Sequence, residues 1–116
     1  MSGGQQLVNR ICAALPGSEC SDPWDIDCDC WKVGGKIFAT GNIEAGSVIV
    51  KCDSADTAAM LIELGVARKA PYFHRSWVAL PKDADPGELE HRIHQSYRII
   101  RRSLTRKLQA ELAPFA

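Results

Sequence analysis

Seven apolar residues recur at steps of three and four near the end of the chain: Leu89, Ile93, Tyr97, Ile100, Leu104, Leu108 and Leu112. That spacing puts them on one stripe of an α-helix, and the stripe must be buried against something. A helix running unbroken from Pro86 to Leu112 would be about 40 Å long at 1.5 Å per residue. That is long for a chain of 116 residues, so a break is predicted near Ser103-Leu104-Thr105. Asp85 or Asp83 suits the N-cap, and Pro86 suits the first turn.

The partner for that stripe is a β region over roughly residues 27–52. Val33-Gly34-Gly35-Lys36 places two glycines between β-prone flanks, and a two-residue hairpin turn needs positive φ at both central positions. With the glycines as the loop, Val33 pairs with Lys36 and Trp31 with Phe38. Trp31, Val33, Lys36 and Phe38 then share one face, and Cys30, Lys32, Ile37 and Ala39 the other. A third strand, SVIVKC, follows the turn at Glu44-Ala45-Gly46 and alternates Val48, Val50 and Cys52 against Ile49 and Lys51.

Two further helices flank this meander. QQLVNRICAAL (5–15) carries Leu7, Val8, Ile11, Cys12 and Leu15 at helical spacing and stops at Pro16-Gly17. SADTAAMLIELG (54–65) has Ser54 as N-cap and Gly65 as the residue beyond its end. SWVAL, stopped by Pro81, reads as a short strand, and residues 20–27 or 66–75 have room for others. The expectation is a single α+β domain over residues 1–116, an antiparallel meander packed against helices.

Composition narrows the functional classes. Apolar residues make up 46% of the chain, enough for one core, and no run approaches the roughly 18 apolar residues of a membrane span. MSGGQQLVNR lacks the basic start and apolar stretch of a signal peptide, which predicts a cytoplasmic protein. Five cysteines, an odd number, are expected to be reduced thiols. Formal net charge is zero, yet residues 1–66 carry four Lys/Arg against nine Asp/Glu, and residues 67–116 carry ten against five. The second half is therefore strongly positive, a pattern that bears on partners.

LPG (15–17), WKVGGKIFA (31–39), VIVKCD (48–53), APYFHRSWVAL (70–80) and HQSYRII (94–100), in that order, resemble the MmcQ/YjbR-like proteins. The resemblance covers nearly the whole chain. It implies a small CyaY-like (frataxin-like) α+β fold with a double-wing-like arrangement, and family members are commonly named DNA-binding proteins. It brings no catalytic residues. Lys36, Phe38, Lys51, Trp77, Ser96 and Tyr97 match recurring family positions. Frataxin-type iron binding depends on an acidic first helix, and QQLVNRICAAL contains no acid.

Four features bear on activity. On the last helix Arg98, Arg101, Arg102 and Arg106 cluster opposite the apolar stripe, with His91 and His94 up the same side. No Glu lies four residues before any of these arginines. Such a ridge attracts phosphate, and it is equally what a solvated face near a helix C-terminus looks like. The loop ARKAPYFHRSW places Arg68, Lys69, His74 and Arg75 among Tyr72, Phe73 and Trp77, a mixture that suits flexible nucleic acid. Phe73 and Trp77 also read as core plugs. Lys32 flanks the hairpin either as a phosphate contact or as an edge lysine that blunts aggregation. DCDC (27–30) holds one C-x-C, without the paired knuckles of a zinc site.

These readings combine into an expected cytoplasmic, monomeric, non-enzymatic protein with no cofactor. It binds DNA or other nucleic acid weakly and without sequence preference through Arg68, Lys69, Arg75, Arg98, Arg101, Arg102, Arg106 and Lys32. The alternative is an adaptor that recognises an acidic protein surface.

Overall fold

The computed structural model describes residues 3–21, 30–42, 46–70 and 73–115. Chain order runs α1 (Gly3–Ala13), β1 (Ser18–Ser21), β2 (Cys30–Val33), β3 (Lys36–Asn42), β4 (Ser47–Lys51), α2 (Ala55–Glu63), β5 (Arg68–Lys69), β6 (Trp77–Pro81), α3 (Pro86–Arg102) and α4 (Arg106–Glu111). The strands form one sheet in the order β1-β2-β3-β4-β6-β5, and every neighbouring pair is antiparallel. The expected α+β architecture is therefore present, with β1 and β5 added at the two edges of the meander.

The helices cover one face of this sheet. α3 crosses β2, β3 and β4, α2 covers β5 and β6, and α1 packs on α3 and β1. The core between the layers is built from alternate strand residues, Val48 and Val50 of β4 and Val78 and Leu80 of β6. They meet Leu89, Ile93, Tyr97 and Ile100 of α3. On the opposite face Ile49, Ala70 and Ala79 form a small second cluster, roofed by Phe73 and Trp77. The two aromatics are thus plugs, with ring centroids 5.1 Å apart.

The hairpin departs from the simple alternation. Val33 pairs with Lys36 and Lys32 with Ile37, but Trp31 pairs with Ala39. Phe38 is the extra residue of a β-bulge, so Phe38 and Ala39 are both buried, and Ala39 lies on the core side rather than with Lys32. The Trp31–Phe38 pair is replaced by a T-shaped contact of Phe38 with Tyr97, centroids 5.3 Å apart.

The helix ends follow local chemistry. Ser54 accepts from the Thr57 N–H at 3.1 Å, and Asp85 accepts from the Glu88 N–H at 3.1 Å. The expected break in the last helix occurs at Ser103-Leu104-Thr105, where Thr105 caps α4. Leu104 turns inward over the hairpin, and Gln109 Nε2 donates to its carbonyl at 2.8 Å. The hairpin makes room with Gly34. Its φ is +59°, and a Cβ there would lie 2.6 Å from a Leu104 methyl.

Of the described cysteines, Cys12, Cys30 and Cys52 are free. Cys20, exposed on the edge strand β1, is disulfide-bonded, contrary to the expected set of reduced thiols. Burial pushes the Cys12 thiol up to about 12 and raises Cys52 as well, which makes both poor nucleophiles. Cys28 of the C-x-C motif lies outside the described residues. Among the described residues no three His, Cys, Asp or Glu groups come together as a metal site, and no helix is long and apolar enough to cross a membrane.

The two hairpin glycines provide a test. Gly35, at φ +83°, has nothing within 4 Å of a built Cβ. Gly35→Ala is expected to cost about 1–2 kcal/mol from its left-handed backbone alone. Gly34→Ala adds the clash with Leu104, about 1–3 kcal/mol more. Urea melts of the two variants check this. Equal losses would show that Leu104 does not press on the turn.

Candidate functional site

The arginines of the last helix do not stand together in solvent. Residues after α4 fold back along α3 and bring Phe115 against it. The Phe115 ring packs edge-on with Tyr97 (5.0 Å) and His94 (5.3 Å), and the Arg98 guanidinium sits 5.0 Å from its centroid. Arg101 donates to the Ala113 carbonyl at 2.6 Å and to the Tyr97 hydroxyl at 3.0 Å. Arg98 and Arg101 therefore hold the tail, and both are half-buried. Arg102 and Arg106 remain exposed at the corner between α3 and α4. The break at Ser103 puts them on different helices.

The apolar stripe alone leaves the far face of α3 open, to phosphate or to solvent. The sequence signal that it is covered is Phe115, a lone aromatic following Pro114 in a segment with no periodic pattern of its own.

The hairpin lysines divide as well. Lys36 Nζ donates to Ser103 Oγ at 3.2 Å and lies 3.4 Å from the Ser103 carbonyl. It sits at the C-terminus of α3, where the helix dipole favours a cation. Lys32 stands on the other face of the sheet, directly across β1–β2 from Glu19, which dilutes the positive charge at that end.

The loop cations gather at the opposite end. Arg68 pairs with Ala79 across β5–β6, so it shares the helix-free face with Ile49, Lys51 and Trp77. Lys51 and Arg68 are two strand spacings and two residues apart, about 12 Å between Cα atoms. Lys69 is exposed at the same edge but alternates toward the helix side, and Arg75 is exposed in the loop that enters β6. Tyr72 lies outside the described residues.

At the centre of this group, Lys51 Nζ donates to Ser76 Oγ at 2.7 Å and sits 5.7 Å from the Trp77 ring centroid. The Ser76 hydroxyl is 2.9 Å from His74 Nδ1, which also accepts the Ser76 backbone N–H at 3.1 Å. Lys32, Lys51, Arg68, Lys69, Arg75, Arg102 and Arg106 make no ion pair with a described carboxylate. Arg92, by contrast, is paired with Glu88 at 3.0 Å. β5 lies four strand spacings, about 19 Å, from the hairpin strand β2 on which Leu104 rests. The loop cations and the Arg102/Arg106 corner are thus two separate groups on opposite faces.

Comparison with known proteins places the chain and its fold. The YjbR family model matches residues 13–99. The chain belongs to the YjbR family. Within that family fold, the crystal structure of Deinococcus radiodurans protein DR2400, a DUF419 domain, superposes with a TM-score of 0.74 over 90% of this chain and 83% of that one, at 19% identity. No curated protein matches the sequence. The likeness to DR2400 concerns the fold.

The tail of this YjbR-family chain also carries a pH dependence. Burial lowers the His94 pKa below its ordinary value, with Arg98 and His91 acting in the same direction and Glu90 against them. A histidine depressed in the folded state contributes stability that is complete above its unfolded value, near 6.5. That stability is lost as pH falls through the folded value, because the unfolded chain takes the proton first. Thermal melts between about pH 7.5 and pH 5 are expected to show less acid destabilisation for His94→Gln than for the native chain. Parallel pH profiles would overturn this assignment.

Proposed function

We propose that this YjbR-family protein is a non-enzymatic, weak and sequence-nonspecific nucleic-acid binder. Its contact is the helix-free end of the sheet, where Lys51, Arg68 and Arg75 stand with Lys69 at the edge. Lys32 lies farther along the same face. One observation carries the reading: Lys51 lies against a half-exposed Trp77, Arg68 shares that face, Arg75 is exposed two residues before it, and none of the three ion-pairs with a described carboxylate. Unpaired cations on an open face attract phosphates, and arginine's planar fork fits them. Binding of this kind is driven by counterion release, so it must weaken steeply with salt. Arg102 and Arg106 form a second, smaller contact on the helix side. Arg98 and Arg101 act on the tail instead. The reading includes no chemical step, and Ser76, 5% exposed, serves it as a structural hydroxyl.

Fluorescence anisotropy with a labelled oligonucleotide at several salt concentrations tests this. Engagement of four cations predicts a log–log salt slope of roughly −3. The pair Arg68→Glu, Arg75→Glu is expected to abolish binding, and the pair Arg102→Glu, Arg106→Glu to weaken it only partly. No binding at about 20–50 mM salt, where phosphate contacts are strong, would end the proposal. A pull-down that survives nuclease and is lost with Arg68→Glu, Arg75→Glu would replace the ligand with an acidic protein surface.

A further inference from the structure

Lys51 differs from Arg68, Lys69 and Arg75, the other cations of this end of the sheet, in how firmly it is held. Its backbone N–H donates to Ser96 Oγ at 2.9 Å, and the Cys52 N–H beside it donates to the Ser76 carbonyl at 2.7 Å. It is paired across the ladder with Trp77. Its ammonium is fixed by Ser76 at 2.7 Å and lies over the Trp77 ring. An ammonium has three N–H donors, and Ser76 takes one.

The group beside it is equally fixed. His74 Nδ1 accepts the Ser76 N–H, so the ring proton is on Nε2. The exposed His74 ring therefore carries its donor on the nitrogen not engaged by Ser76. Lys51 Nζ and His74 Nδ1 both lie within 3 Å of the one Ser76 hydroxyl oxygen. The Ser76 hydroxyl thus joins the Lys51 ammonium to the His74 ring, whose N–H points away from Ser76 into solvent, with Arg75 next in the chain. No described carboxylate pairs with either cation. Lys36 has the polar C-terminus of α3 as its counter-charge. Among the described residues, the Lys51 ammonium has a hydroxyl and a π-face.

We propose that Lys51, buttressed by Ser76 and accompanied by His74, is a phosphate-binding subsite that anchors the ligand of the sheet face. This rests on the nucleic-acid reading above and names the contact that leads it. The order of Lys51 matters because a lysine already held in one rotamer loses little further freedom when it binds. The exposed Lys69 has no such preparation. The shared chemistry is a tetrahedral phosphate, from either a nucleic-acid backbone or a small phosphate ester.

The test uses three proteins, the native chain, Lys51→Met and Ser76→Ala, each checked for folding by circular dichroism. Lys51→Met is expected to weaken oligonucleotide binding about tenfold, the usual weight of one charge-assisted hydrogen bond. It should also make the salt slope shallower by about 0.7–0.9. Ser76→Ala removes no charge, so it is expected to weaken binding severalfold while leaving the slope unchanged, a split that loss of charge alone does not produce. A second arm titrates inorganic phosphate into isotope-labelled native protein and follows the amide signals of Lys51, His74 and Ser76 by NMR.

If the native chain binds oligonucleotide and Lys51→Met binds it equally well, the subsite is wrong and the broader reading stands. If the native chain binds no oligonucleotide but phosphate shifts those three signals, the nucleic-acid reading is wrong and the subsite stands, serving small phosphate esters. If neither binds, both fall.

Discussion

The buried hydroxyl of Ser96 bonds helix α3 to two strands of the sheet. Ser96 Oγ donates to the Phe38 carbonyl of β3 at 2.6 Å and accepts the Lys51 N–H of β4 at 2.9 Å. The last ladder pair between those strands is Ala39 with Val50. The hydroxyl therefore lies just past the point where the ladder stops, between two backbone groups that would otherwise be buried without a partner. The bulge at Phe38 creates this situation, and a serine on the apolar face of α3 resolves it. Removing it would leave both groups unpaired, at about 1–3 kcal/mol each. Once Ser96 is placed, α3 has one register on the sheet. Tyr97, next along, donates to the Pro16 carbonyl and ties in the turn after α1. One turn on, Ile100 is buried, and Leu104 seats on Gly34.

The parts of the fold that the sequence displays are those governed by local chemistry. The stripe from Leu89 to Leu112, the caps at Ser54 and Asp85 and the Gly-Gly turn each depend on residues within a few positions of one another. The helix break at Ser103-Leu104-Thr105 was legible because the length of the stripe conflicted with the size of the chain. What was not legible depends on distant partners. The bulge needs Tyr97 to receive the Phe38 ring, 59 positions away. The disulfide at Cys20 was hidden by an odd cysteine count, which pointed to reduced thiols throughout.

The same division explains the candidate site. Charge arithmetic located the positive half of the chain correctly, because residue counts do not depend on folding. It did not tell which arginines are used up internally. Arg98 and Arg101 lie beside the buried stripe, and the hydrophobic demand of Phe115 draws the tail over them. A guanidinium that donates to a backbone carbonyl and lies near aromatic rings has exchanged solvent for structure. Arg102, one position on, points the other way and stays exposed. A helical wheel sets Arg102 100° round from Arg101 and farther from the stripe, but it does not show the tail that covers Arg98 and Arg101.

Lys36 and Lys51 carry this reasoning to its end. Both are lysines at the same end of neighbouring strands, and both reach a serine hydroxyl. Lys36 meets Ser103 at the end of a seventeen-residue helix, where the exposed carbonyls bear partial negative charge that offsets the ammonium. Lys51 meets Ser76 in a turn, where the polar groups are committed to one another through His74. The first lysine is a strut whose field is cancelled inside the protein. The second projects its field outward from the sheet face. The difference between the two lysines is set by what lies beside each, and for Lys36 that is the end of α3, a helix held on the sheet by the hydroxyl of Ser96.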